Sequence, residues 1–81
     1  PTSGRASVTF TLAEAGSVIA EVLDVLGRRV AVLASGPAVA GEQRLVWDGR
    51  DAAGHAVAPG VYVLRVESGG AVQARRITVV R

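Results

Sequence analysis

Gly60-Val61-Tyr62-Val63-Leu64-Arg65-Val66-Glu67 alternates strictly, with Tyr62, Leu64 and Val66 on one side and Val63, Arg65 and Glu67 on the other. A period of two, rich in β-branched and aromatic residues, describes a strand with one buried face. Ala58 precedes Pro59 and is pushed to extended geometry by the proline ring, so the chain enters this strand already straight. Ser68-Gly69-Gly70 follows, a hairpin signal. Ala71–Val80 returns as a last strand, with Ile77 and Val79 on one face. The alternation slips around Arg75-Arg76, which predicts a bulge or a sheet edge at that point.

Working back from Gly60, the chain repeats the same pattern. Glu42–Trp47 alternates, with Gln43, Leu45 and Trp47 facing one way, and Trp47 is expected to fill the centre of the core. Between Trp47 and Pro59 lies the longest polar connection, Asp48–His55. Ala6–Leu12 sets Val8, Phe10 and Leu12 against Ser7, Thr9 and Thr11. In Ser17–Asp24, Val18, Ala20 and Val22 form one face and Ile19, Glu21 and Leu23 the other, which is half apolar and expected to be partly covered. A helix from Glu14 to Leu26 competes with that strand, but Gly16 and the Val/Ile content oppose it. Asp24–Arg28 is a tight turn with Gly27 at a positive-φ position. Arg29–Ala34 is a third strand, and Ser35–Gly41 a loop with room for a short edge strand.

These segments predict an all-β chain: an immunoglobulin-like antiparallel β-sandwich of about seven strands, with turn signals roughly every 8–12 residues and no disulfide. The whole chain, residues 1–81, is expected to be one domain, with no linker or low-complexity tract. Composition agrees. Val supplies 15 residues and Ala 14 of 81, Leu only 6, and the 10 Gly are spaced like turn residues. A domain of this size buries roughly 60% of its unfolded surface, so its stability is modest. No apolar run approaches the roughly 18 residues of a membrane helix, so membrane insertion is not expected. A charged segment followed by an apolar one is also missing, so no signal peptide is expected within these residues.

Cysteine is absent and His55 is the single histidine, which excludes disulfide stapling, thiolate chemistry and Cys- or His-rich metal sites. All nine basic residues are Arg, the net charge is only +2, and the arginines are scattered, so nucleic acid is not an expected partner. No catalytic arrangement can be assembled, because G-x-S-x-G is absent and His55 lies in a polar loop. Neither enzymatic activity nor a cofactor is expected. Asp48-Gly49-Arg50-Asp51 with Gly54 has a faint likeness to a calcium loop, but Arg50 stands where a ligand is needed. Two turns in which each Asp accepts backbone N–H groups are the expected reading. A salt bridge between Asp24 and Arg28 would be worth roughly 0–1 kcal/mol at the surface.

Two resemblances emerge from these blocks. Val18–Val30 resembles the V-x-L-x-V-Y-D-x-x-G-R-x-V block of type A C-terminal sorting domains of type IX secretion, with Leu23 in place of Tyr. Pro59–Val66 resembles that family's G-x-Y block, Arg75–Arg81 its closing strand, and Pro1-Thr2-Ser3-Gly4 its opening. Trp47–Gly54 is more similar to the related immunoglobulin-like domain of flagellar hook-capping proteins.

The sorting resemblance implies a non-enzymatic address at the end of an exported cargo, recognised by the type IX outer-membrane translocon and a surface sortase. Its implied partner in the same polypeptide is an N-terminal cargo domain, and its implied location is the medium or the outer-membrane surface, reached through the periplasm. The residues it implies are Gly27, Arg28, Gly60, Tyr62, Arg76, Ile77, Val79 and Arg81, of which Arg28, Arg76 and Arg81 have no obvious structural task. The hook-capping resemblance implies instead a structural spacer module of a flagellar cap or surface protein. A carbohydrate-binding appendage of a secreted hydrolase is a third reading. It requires exposed aromatic platforms, whereas Trp47 and Tyr62 both read as core.

Overall fold

The computed structural model describes residues 6–80. Six strands form among them: β1 (Ala6–Leu12), β2 (Gly16–Leu23), β3 (Arg29–Ala38), β4 (Gly41–Trp47), β5 (Gly60–Ser68) and β6 (Ala71–Val79). They make two sheets, a four-stranded one in the order β3-β2-β5-β6 and a two-stranded one of β1 and β4, and all pairings are antiparallel. The immunoglobulin-like sandwich is therefore present, built from six strands where about seven were expected.

The missing seventh strand is the far half of β3. The segment Ser35–Gly41 reads in the sequence as a loop with room for a short edge strand of its own, but β3 continues through Gly36 and Pro37 to Ala38, opposite Val18, Ser17 and Gly16. Two register shifts explain why the alternation did not show this. Glu21 pairs with Val32 after Ala20 has paired with Ala34, and Leu23 pairs with Arg29 after Val22 has paired with Ala31. Leu33 and Val30 are thus extra residues in bulges, each of which moves the following side chains to the other face. Pro37 is tolerated because β3 is an edge strand. β6 is also an edge, and its pairing with β5 runs unbroken from Gly60↔Val79 to Ser68↔Ala71, so the slip at Arg75-Arg76 marks an edge and no bulge.

The core lies between the sheets. Phe10 and Leu12 of β1 and Trp47 of β4 face Val18, Ala20 and Val22 of β2, Tyr62, Leu64 and Val66 of β5, and Ile77 and Val79 of β6. Trp47 is only 1% exposed, and its ring meets Tyr62 edge-on with centroids 5.2 Å apart. Its indole N–H donates to the Arg50 carbonyl at 3.0 Å, and the Tyr62 hydroxyl donates to the Ala58 carbonyl at 2.6 Å. Both aromatic rings are thus buried without stranding a polar atom. Deleting such a ring from a core costs about 3–5 kcal/mol, a large share of a small domain's stability.

Six strands joined only by turns and loops run alternately up and down. β1, β3 and β5 start at the pole where β2, β4 and β6 finish. Ala6 pairs with Trp47 at that pole, and Val79 pairs with Gly60 there as well. Both described ends of the chain therefore leave the same end of a body measuring 36 × 20 × 19 Å.

Candidate functional site: two matched turns at one pole

The pole from which the ends emerge also carries the β2–β3 turn and the β4–β5 loop. Asp24-Val25-Leu26-Gly27-Arg28 and Asp51-Ala52-Ala53-Gly54-His55 share the spacing D-x-x-G-x, and they fold alike. Asp24 Oδ1 accepts the N–H groups of Leu26 and Arg28, both at 2.9 Å, and Asp51 Oδ1 accepts those of Ala53 and His55, both at 3.0 Å. In each turn the glycine N–H donates to the aspartate carbonyl and the aspartate N–H to the carbonyl four residues on. Gly27 and Gly54 adopt φ of 80° and 87°, a region that L side chains avoid. The two segments read separately as turns in the sequence; their common pentad was the signal that they are the same device.

The turns differ in what they carry. Arg28 Nε donates to Asp24 Oδ2 at 2.8 Å, closing the ion pair expected from the sequence. The Arg28 backbone N–H, then the guanidinium and the Leu26 N–H, hold the Asp24 carboxyl below the usual aspartate range. In the other turn Arg50 Nη1 reaches the Gly54 carbonyl at 2.9 Å, and Asp48 Oδ1 accepts the Arg50 N–H at 3.1 Å. Asp48 and Asp51 thus each commit a carboxylate oxygen to backbone N–H groups, as the turn reading of this loop required. Among the described residues no three His, Asp or Glu side chains gather as a metal site. Ala52-Ala53 tips one turn, whereas Val25 and Leu26 tip the other at 72% and 73% exposure.

Beside Val25 and Leu26 a notch of about 250 Å³ opens toward Pro59, Gly60 and Tyr62. It brings together Arg28, Gly60 and Tyr62 from the sorting-domain set, with Gly27 next to Arg28. The other members lie elsewhere. Ile77 and Val79 are buried in the core, and Arg76 stands exposed on the outer face of β6, opposite Val63. Arg81 lies outside the described residues, as does the Pro1–Gly4 opening. Of the eight, Gly27, Tyr62, Ile77 and Val79 have evident structural tasks, Arg28, for which none was expected, closes the Asp24 turn by its N–H and Nε, and the set does not converge on one surface.

On the outer face of the larger sheet Glu21 is 7% exposed yet charged. It is held by Arg29 at 2.8 Å and Arg65 at 3.4 Å, and Arg65 also pairs with Glu67 at 2.8 Å. This is how the half-apolar second face of β2 is partly covered: arginine stems are laid over the Glu21 carboxylate, while Ile19 on the same face stays 44% exposed. The ion pairs and turn hydrogen bonds described at these two places are all internal to the fold.

Two antiparallel sheets packed face to face and closed by tight turns at one pole define an immunoglobulin-like module. The family model of the FlgD Ig-like domain matches residues 2–71, and the chain belongs to that family. Among solved structures the chain is similar to FlgD from P. aeruginosa, with a TM-score of 0.71 and 24% sequence identity over 89% of this chain. It spans 58% of the length of that structure, and at this identity the likeness is one of fold. No curated protein matches the chain. The match falls on the hook-capping resemblance carried by Trp47–Gly54 and gives no support to the type IX sorting resemblance.

Proposed function

We propose that this chain is a non-enzymatic structural module of a flagellar hook-capping or similar surface assembly, hung from its parent polypeptide as a side unit. The observation that carries the reading is family membership over residues 2–71. Two further features support it. At the pole, Asp24, Asp48 and Asp51 each give a carboxylate oxygen to backbone N–H groups of their own turns, as a closed structural turn requires. Both described ends leave one pole, so flanking polypeptide joins the module from one side. A spacer that lengthens a chain needs its ends at opposite poles, so the module presents a surface to neighbours and does not separate them.

Deleting the module from its parent polypeptide, in the native host, tests this reading. The parent is expected to be made and exported while hook growth fails, seen by electron microscopy of flagella. Normal hooks would overturn the proposal. Retention of the shortened parent in the periplasm would do so too, and would move the reading to the secretion address.

A further inference from the structure

Two sheets present four edges: β3 and β6 in the larger, β1 and β4 in the smaller. An open edge is a row of unpaired N–H and C=O groups that recruits another strand unless charge, proline or a bulge blocks it. Three edges carry such devices. β3 has two bulges and Pro37, β4 has exposed Glu42 and Arg44, and β6 has exposed Arg75 and Arg76. β1 reads A-S-V-T-F-T-L, with no charge, no proline and no glycine, and pairs with β4 in unbroken register from Ala6↔Trp47 to Leu12↔Gly41.

The open side of β1 can be read from one hydrogen bond. Gln73 Nε2 of β6 donates to the Thr11 carbonyl at 3.1 Å, so that carbonyl points away from β4. In an antiparallel pair these directions alternate by residue, so the backbone groups of Thr9 and Ser7 point the same way. The sheet that β1 borders has only two strands, fewer than the three that a sheet normally needs to stand by itself.

We infer that the open edge of β1 pairs antiparallel with β1 of a second copy of this chain. The sequence is self-complementary about a two-fold axis at Thr9. Thr9 then faces Thr9, Ser7 faces Thr11, Val8 faces Phe10 and Ala6 faces Leu12. Hydroxyls meet hydroxyls on the outer side, apolar groups meet apolar groups on the core side, and no like charges meet. The contact is isologous and closes at two copies. It joins the two small sheets into one of four strands in the order β4-β1-β1-β4, and the partner's Ser7 N–H replaces Gln73 at the Thr11 carbonyl.

Sedimentation equilibrium of the 81-residue chain from about 10 µM to about 1 mM reads a weak dimer in that range. A monomer–dimer equilibrium is expected. Thr9→Lys puts two ammonium groups face to face at the axis on an exposed position, and weakens the dimer at least about tenfold with the circular dichroism spectrum unchanged. Val72→Lys, on the outer face of β6, leaves it intact. Amide exchange at Ser7 and Thr9 slows with concentration. A monomer at every concentration overturns the inference, as does a dimer that Thr9→Lys leaves untouched.

Discussion

Asp24 accepts two backbone N–H groups and the Arg28 guanidinium within a five-residue turn, which makes the turn sensitive to one proton. Its folded pKa lies below the ordinary aspartate value, chiefly because the Arg28 backbone N–H donates to it, so the folded state binds that proton less readily than the unfolded chain. The stabilisation is therefore complete above the unfolded value and is lost as pH falls through the lowered, folded value. Asp24→Asn keeps the shape and removes the charge. The variant is expected to melt below the parent at neutral pH, with the gap closing below about pH 4 as the parent's own carboxylate protonates. A gap of constant size down to about pH 2 would show that charge at Asp24 contributes nothing to the turn.

The strands show where sequence patterning stops being sufficient. β1, β2, β4 and β5 were legible because each keeps a period of two, and their buried apolar residues fall where alternation puts them, Glu21 being buried on the opposite face of β2 by its arginine partners. β3 was cut short because Val30 and Leu33 enter as bulge residues, and a bulge is invisible until the partner strand is known. β6 gave an ambiguous slip because Arg75 shares the side of Ile77 and Val79 but lies at a place the small sheet leaves open. The pole was half legible: both aspartate turns were expected, but their equivalence and the exposed Val25-Leu26 tip were not. Edge charge has its own consequence. Replacing Arg75 and Arg76 by valine turns β6 into a long uncharged edge with no evident loss of core packing. The double variant is expected to keep its Tm within a few degrees, since ordinary surface changes stay within about 0.5 kcal/mol each, and to scatter light strongly on refolding. Clear refolding solutions at the parent's concentration would show that the arginines do not guard that edge.

At the scale of the whole molecule, the fold class was accessible from residue order and the family only from one block. Trp47–Gly54 carried the hook-capping resemblance because its Asp-Gly-Arg-Asp-x-x-Gly spacing is locally consumed by turn hydrogen bonds, a constraint that leaves a visible mark in sequence. Recognition by partners leaves no comparable mark. The blocks that resemble a sorting domain are mostly strand and turn chemistry, which any sandwich of this shape requires.

The even number of strands also decides how the module bears load. A sandwich pulled from opposite poles is loaded in shear, and a whole ladder of hydrogen bonds resists together. Here Ala6 and Val80 are pulled from the same pole, so tension peels β1 from β4 and β6 from β5, one rung at a time. Such a body opens like a zipper. In single-molecule stretching through its two ends it is expected to yield at markedly lower force than when the same domain is gripped at Ala6 and at the far tip, Gly69. Equal forces along the two directions would show that the ladders are not loaded in sequence. A part that unzips this readily is suited to a place beside a line of tension, where it can hold its neighbours without carrying their pull.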